Sequence, residues 1–231
     1  KIVNNDKTKI SWSRGLFQKI QKKKKLFFDE SKIMISQYRP FTKNYVYFDK
    51  DLNEVQYQLD KIFNKDTDHN QIITCTGTGN NNNFSALMIS CIPDFQTMFN
   101  SQCYSLKNFS NIILDEGLFS NKSKNSNNFE ENDNITDVEL ENFRNFYSDK
   151  NISKINIFHY TYALLNSKNF IDQFSNNLKK ESIRIPIIQN KDDFKKFVEI
   201  GKKLSDLHIN YEKTKKYPCE IINSSKNQKN L

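Results

Sequence analysis

A chain of 231 residues is long enough for one large domain or two small ones around a real buried core. Hydrophobic residues make up 36% and aromatics 13%, with 19 Phe and 10 Tyr, which predicts an aromatic core under a very polar surface and excludes a disordered chain. The net charge of +8 lies wholly in the first quarter: residues 1–65 hold 15 Lys and Arg against 7 Asp and Glu, whereas 66–231 hold 20 of each sign. Such a local basic field favours a polyanion, nucleic acid before membrane, because no strongly amphipathic basic helix accompanies it.

The chain opens on Lys1 without an initiator methionine and closes on the polar SSKNQKNL, so it is read as a piece of a larger polypeptide. Residues 8–21, TKISWSRGLFQKIQ, read as a strand that finishes as a short helix, followed by the lysine run Lys22 to Lys25. From Lys32 to Leu106 the signal is β. Ile33 to Ser36, Tyr45 to Phe48, Gln71 to Thr76, Phe84 to Ser90 and Cys103 to Leu106 are short β-branched or aromatic runs divided by Asn, Asp, Gly and Pro. Between them DLNEVQYQLDKIF (51–63) is open between a short helix and an irregular edge, and Pro40 keeps its own position out of a central strand.

After about residue 110 the period becomes helical. NITDVELENF carries a helix start: Thr136 as cap, Glu139 to close a capping box, and Ile135 with Leu140 as a hydrophobic staple, predicting a helix over Asp137 to about Tyr147. A second helix is predicted over Lys154 to Leu165, continuing after a break near Ser167 and stopped at Ile185 and Pro186. The last, Lys191 to Tyr211, sets Phe194, Phe197, Val198, Gly201, Leu204, Leu207 and Tyr211 on one core-facing side. The expected architecture is α+β, with a β-rich basic part (1–115), an exposed polar loop (116–134) and a helical part (135–231).

Several stretches imitate active-site motifs. Gly77 to Phe84, GTGNNNNF, has a Gly-x-Gly start but neither the third glycine of a dinucleotide loop nor the Gly-Lys-Ser/Thr ending of a triphosphate loop, and reads as a strand-to-strand connection. Glu30-Ser31-Lys32 after Asp29 matches the tail of a metal-dependent nuclease motif, a short pattern that chance produces often. No Asn-Pro-Pro-Tyr or Asp-Pro-Pro-Tyr methyltransferase loop and no Gly-x-Ser-x-Gly elbow occurs. Cys75, Cys91, Cys103 and Cys219 lack CxxC spacing and read as buried thiols of a reducing cytoplasm, and His69, His159 and His208 lack metal-ligand spacing. No signal peptide or long apolar run appears. The expected work is therefore binding, with no catalytic residue, metal or cofactor assigned to this part.

Arg pairs with guanine edges, Asn and Gln with adenine, and Lys with phosphate, while aromatics support or stack. Arg14, Arg39, Lys43, Asn44, Gln56 and Gln58 are the candidates from the basic quarter. Any one of them taken alone reads more often as a surface residue without a partner. Arg39 differs because Tyr38 and Pro40 hold it near a strand backbone, where a structural and a DNA-facing role are equally open.

Taken in order, KISWSRGL (9–16), YRPFTKNYVYFDKDLNEVQYQL (38–59), FSALMISCIPD (84–94), QCYSL (102–106), NITD (134–137), IFHYTYALL (157–165), RIP (184–186) and GKKLSDLHINYE (201–212) resemble the C-terminal target recognition region of Type ISP single-polypeptide restriction–modification enzymes. CYSLK stands where that family usually carries Phe-Pro-Leu-Tyr, and the family continues beyond the point where this chain ends. The resemblance implies a cytoplasmic DNA-binding specificity domain of a bacterial defence enzyme. It would serve an adenine-specific methyltransferase and an ATP-driven translocase elsewhere in a parent that uses S-adenosylmethionine, ATP and magnesium. The implied partners are double-stranded DNA and the methyltransferase domain of the same polypeptide; the alternative is a non-catalytic module that docks that domain. A nuclease using Glu30 and Lys32 is a third reading. Tyr38 to Lys50 then becomes a strand-turn-strand element with its aromatics inward and Arg39, Lys43 and Asn44 toward DNA or the neighbouring domain. The base readers are expected in loops outside the motifs, such as Asn80, Asn81, Asn82 and Asn83 or Lys107 to Asn134.

Overall fold

A computed structural model describes residues 14–53, 55–63, 70–111, 129–216 and 218. Helix α1 (Arg14–Gln21) leads to a hairpin of β1 (Ile33–Arg39) and β2 (Thr42–Tyr47), antiparallel and paired from Ile33↔Tyr47 to Arg39↔Thr42. Pro40 and Phe41 make its turn, and Phe41 takes a φ of 56°. Proline followed by a left-handed residue is the type II pattern, in which glycine or asparagine usually fills the second place.

After the short α2 (Leu59–Ile62), β3 (Ile72–Cys75) and β4 (Ala86–Ile89) pair antiparallel, β5 (Ile92–Pro93) adds to β1 in parallel, and β6 (Gln102–Ser105) joins the other side of β3. Two three-stranded sheets result, in the orders β2-β1-β5 and β4-β3-β6. Side chains alternate between strand faces, and the second sheet is buried on both. Ile73, Cys75, Ala86 and Met88 face one core, while Ile72, Leu87 and Ile89 face another that includes Ile92, Met98 and the half-buried Met34, Val46 and Phe48. The hairpin sheet is thus the outer layer, and the helices cover the opposite side.

Those helices are α3 (Asp137–Tyr147), α4 (Lys154–Leu165), α5 (Lys168–Gln173), α6 (Ser175–Lys180) and α7 (Lys191–Ile209). Thr136 Oγ1 accepts from the Glu139 N–H at 3.2 Å, as the start signal predicts, but the box is half made because the Glu139 carboxylate accepts from Asn142 instead. A complete capping box forms at Ser153 and Asn156, which the sequence pattern alone did not reveal. The break at Ser167 is present. Leu207 departs from the predicted core face of α7 and is half exposed. The α+β class holds, with strands in the first half and helices in the second.

Part of the expected polar loop is not a loop. Residues 129–133 form β8 (Phe129–Asp133) against β7 (Lys107–Asn111). Lys107 neutralises both Glu131 (2.9 Å) and Asp133 (2.7 Å), and Lys154 reaches Asp133 at 3.1 Å, so an acidic run that would repel itself alone is held in a ladder. The rest of that loop and the strand expected at 8–13 lie outside the described residues.

Helix α4 is buried on nearly every side and crosses α7 at Gly201. Around this crossing runs a buried polar set. His159 Nε2 lies 3.1 Å from Gln71 Oε1, which also accepts from Ser205 Oγ, while the Tyr162 hydroxyl pairs with His208 Nδ1 and accepts from the Met88 N–H at 2.8 Å. Burial holds both imidazoles below their ordinary value of 6.5, with the Lys202 charge adding to the effect on His159. The unfolded chain therefore takes up protons more readily than the folded one. The stability these rings contribute is complete above pH 6.5 and is lost as pH falls through the depressed folded values. Urea midpoints should decline as pH falls below the ordinary imidazole value of 6.5, and a flat profile there would contradict the assignment.

Candidate nucleic-acid interface

A cleft of about 490 Å³ opens between the hairpin sheet, the segment 53–59 and the turn 93–101. Its floor is apolar, with Val46, Phe48, Leu59, Ile62 and Ile92, and Gln56 and Gln58 stand in its wall. At its edge Tyr57 and Phe95 stack, with ring centres 6.2 Å apart and planes inclined by 16°. Both rings face water: Tyr57 is 70% exposed and Phe95 51%. Tyr57 also sits at φ 50°, a conformation that costs a bulky residue free energy and that concentrates at binding sites.

The loop beside this cleft is tied to the lysine run. Lys19 of α1 donates to the Asp51 carbonyl at 2.6 Å and the Lys50 carbonyl at 3.2 Å, and Lys24 pairs with the Asp51 carboxylate. Two further acids are paired, Asp49 with Lys32 and Asp60 with Lys50 at 2.8 Å. The hydrogen bond from Lys32 is the main cause that holds the Asp49 carboxyl below its usual range. Lys22, Lys23 and Lys25 have no ion-pair partner among the described residues. All three are exposed, on the segment that Lys19 and Lys24 tie to this loop.

The candidates separate into groups. Gln56 and Gln58 share the cleft wall, and Gln56 is oriented by a 3.1 Å hydrogen bond to Asn53 Oδ1. Arg39 lies over the Tyr38 ring (4.0 Å) and donates through Nη1 to the Tyr38 carbonyl and to Asp94, a cleft residue, at 3.0 Å. Its Nε and Nη2 have no partner among the described residues. Lys43 turns the other way, to Glu212 (2.8 Å) and the Tyr211 ring (4.9 Å). Burial opposes its charge, but the bond from Glu212 prevails and raises the ammonium above its usual value. Asn44 is exposed and stands opposite Ser36 on the strand face that carries Val46. Arg14 begins α1 with its backbone, and its side chain lies outside the described residues.

Asn80 is taken up by structure. Its Nδ2 donates to the Phe99 carbonyl (3.0 Å), and its Oδ1 accepts from the Asn82 N–H (2.9 Å) and side chain (2.8 Å), leaving Asn81 exposed beside them. A Cβ at Gly77 would meet the Asn100 carbonyl oxygen at 2.0 Å, so the glycine pattern here serves close backbone approach. The turn 93–101 therefore separates this asparagine loop from the cleft and touches both.

The expectation that the hairpin aromatics point inward is corrected. Phe48 is half buried, but Tyr38, Phe41 and Tyr45 are exposed, and Phe41 meets His208 and Tyr211 edge-on across the end of α7. Tyr57 and Phe95 do not stand out in the sequence as site residues. Tyr57 lies inside a quoted motif, yet nothing in its sequence context signals a left-handed backbone.

The imitations of catalytic motifs have structural partners. The Asp29 carboxylate accepts from the Ser31 N–H (3.0 Å), and Lys32 is held by Asp49. Among the described residues no three His, Cys, Asp or Glu converge as a metal site would require, and no helix is long and apolar enough to cross a membrane. Burial pushes the thiols of Cys75 and Cys91 up to about 12 and about 11, and Cys103 rises for the same reason.

No curated protein matches the chain. Solved structures do, among them three DNA complexes. They are the cryoEM structure of a DrdV–DNA complex (31% identity, TM-score 0.77, 90% of this chain and 19% of that one) and the ATP-dependent Type ISP restriction-modification enzyme LlaBIII bound to DNA (26%, 0.73, 91% and 13%). The third is a nuclease-deletion mutant of the Type ISP restriction-modification enzyme LlaGI with a DNA substrate mimic (32%, 0.69, 91% and 17%). The chain thus spans less than a fifth of each of these proteins. The sequence profile of the Type ISP C-terminal specificity domain matches residues 1–231, end to end, and the chain belongs to that family.

Proposed function

We propose that this domain selects a short DNA sequence for a longer restriction–modification polypeptide, and that the cleft beside Tyr57 is where it meets the duplex. The observation that carries the reading is a cleft whose lining brings together two amides and a solvent-exposed aromatic pair, next to a loop that Lys19 and Lys24 tie to the lysine-rich segment. Lysines 22, 23 and 25 contact phosphates and set the register. Gln56 and Gln58 offer the donor–acceptor pair that matches adenine, and Arg39 supplies its remaining donors from beside the cleft residue Asp94. Arg14, Asn44, Asn81 and Asn82 complete the proposed contacts, while Lys43 and Asn80 act through the fold.

Chemistry belongs to other parts of the parent: a methyltransferase that turns an adenine out of the duplex for transfer from S-adenosylmethionine, and an ATP- and magnesium-dependent translocase. This domain's contribution is to hold the site in register for both.

The test is selection from a pool of random duplexes at two salt concentrations. A short asymmetric sequence should be enriched and should survive the higher salt, with total affinity falling by a log–log slope of about 0.9 per phosphate contact. Binding without enrichment would refute sequence selection by this domain.

A further inference from the structure

The two faces of the β1–β2 hairpin have opposite surroundings. Met34, Val46 and Phe48 point to the inner core and the cleft. On the other face, the Gln37–Lys43 end is covered by the chain after α7, where Lys43 meets Glu212 and Tyr211. The Ile33–Tyr45 end has no such cover among the described residues. Ile35 stands directly opposite Tyr45, Ile33 opposite Tyr47, and Phe28 stacks on Tyr47 at 5.7 Å, so these side chains form one continuous patch with Phe27 beside it. Exposure is 80% for Phe27, 75% for Phe28, 50% for Ile35 and 80% for Tyr45.

Scattered exposed apolar side chains are ordinary, but a contiguous aromatic patch is not. It is also the wrong chemistry for a phosphate backbone. No cation lies within it, and the lysines at its two ends, Lys32 and Lys43, are committed to Asp49 and Glu212. Uncharged, aromatic and aliphatic composition suits an interface that stays closed. A covalently linked neighbour is the partner that such a surface fits, and more than four-fifths of each matched enzyme lies outside the part that this chain covers.

We propose that the outer face of the hairpin, centred on Ile35 and Tyr45, is the seat of the methyltransferase part of the same polypeptide, through an apolar element of that part. The hairpin is then a partition, with DNA on its cleft side and the methyltransferase on its outer side, which couples site selection to the catalytic domain through one rigid element. This rests on the reading of the chain as the specificity domain of a longer enzyme.

The test labels tyrosines in the full-length polypeptide and reads Tyr45 against Tyr57 by mass spectrometry. Without DNA, Tyr45 should be modified several-fold more slowly than Tyr57. Equal reactivity would overturn the proposal, as would protection of Tyr45 that fades on dilution, which marks a second copy, or that appears only with DNA. Failure of the DNA reading shows separately, as a Tyr57 that added duplex does not protect. In the same polypeptide Tyr45→Glu, which places a charge in the closed interface, should slow methylation roughly a hundredfold with the selected sequence unchanged. An unchanged rate would overturn the proposal, and labelling of the unaltered protein decides the matter if that variant does not fold.

Discussion

Gly201→Ala should destabilise the domain by about 1–3 kcal/mol, and Gly201→Val by more, although alanine is the better helix former by about 1 kcal/mol. The sign follows from what a Cβ would meet: the His159 carbonyl oxygen at 1.9 Å and its carbon at 2.7 Å. Both are backbone atoms inside α4, the most buried helix, so neither can swing aside as a side-chain tip would. To admit the methyl group α7 must move away from α4. That movement stretches the Ser205–Gln71 and Tyr162–His208 hydrogen bonds on the same crossing. Each buried polar group left unpaired adds about 1–3 kcal/mol. Because His208 also supports Phe41, the damage should reach the hairpin turn. Urea midpoints followed by circular dichroism check this, and an alanine variant as stable as the parent would show that the two helices are not closely apposed in solution.

Much of this arrangement was legible in the sequence, for a physical reason. Hydrophobic period and capping chemistry act within a few residues, so Thr136 marked the start of α3, Ser167 the break after α4, and Tyr45 to Tyr47 a strand. Pairings made across the chain are not written locally. Lys43 finds Glu212 169 positions away and Arg39 finds Asp94 at 55, and each of these partners changes the meaning of its cation from a free contact to one partly or wholly committed. β8 was hidden because its acidic composition reads as solvated chain until Lys107 is placed across from it. The inward placement assumed for the aromatics failed similarly: alternation separates two faces but does not say which of them is covered.

The candidate site was half visible. Gln56 and Gln58 were found by residue type, whereas the aromatic pair that makes their position a site depends on Tyr57 being left-handed and on Phe95 arriving from a turn 38 positions further on. That pair supports the second large prediction. Tyr57→Ala should weaken binding of the selected duplex by about 1–2 kcal/mol, as the loss of an aromatic anchor from an interface does. Gln58→Ala should cost about 1–3 kcal/mol at one base pair and relax the preference there, because a bidentate amide contact discriminates only at the pair it touches. Changing Lys22, Lys23 and Lys25 together to alanine should act differently, weakening all sequences alike and lowering the salt slope by about 0.9 for each phosphate no longer neutralised. Arg39→Ala separates two roles. The exposed pair with Asp94 contributes only about 0–1 kcal/mol to folding, so a binding loss well beyond that, with the urea midpoint kept, assigns its open donors to DNA. Selection repeated with each variant distinguishes these outcomes. Should Tyr57→Ala and Gln58→Ala both leave the enriched sequence and its affinity unchanged, the cleft is not the reading surface, and the asparagine loop across the turn 93–101 becomes the part of the domain that meets the bases.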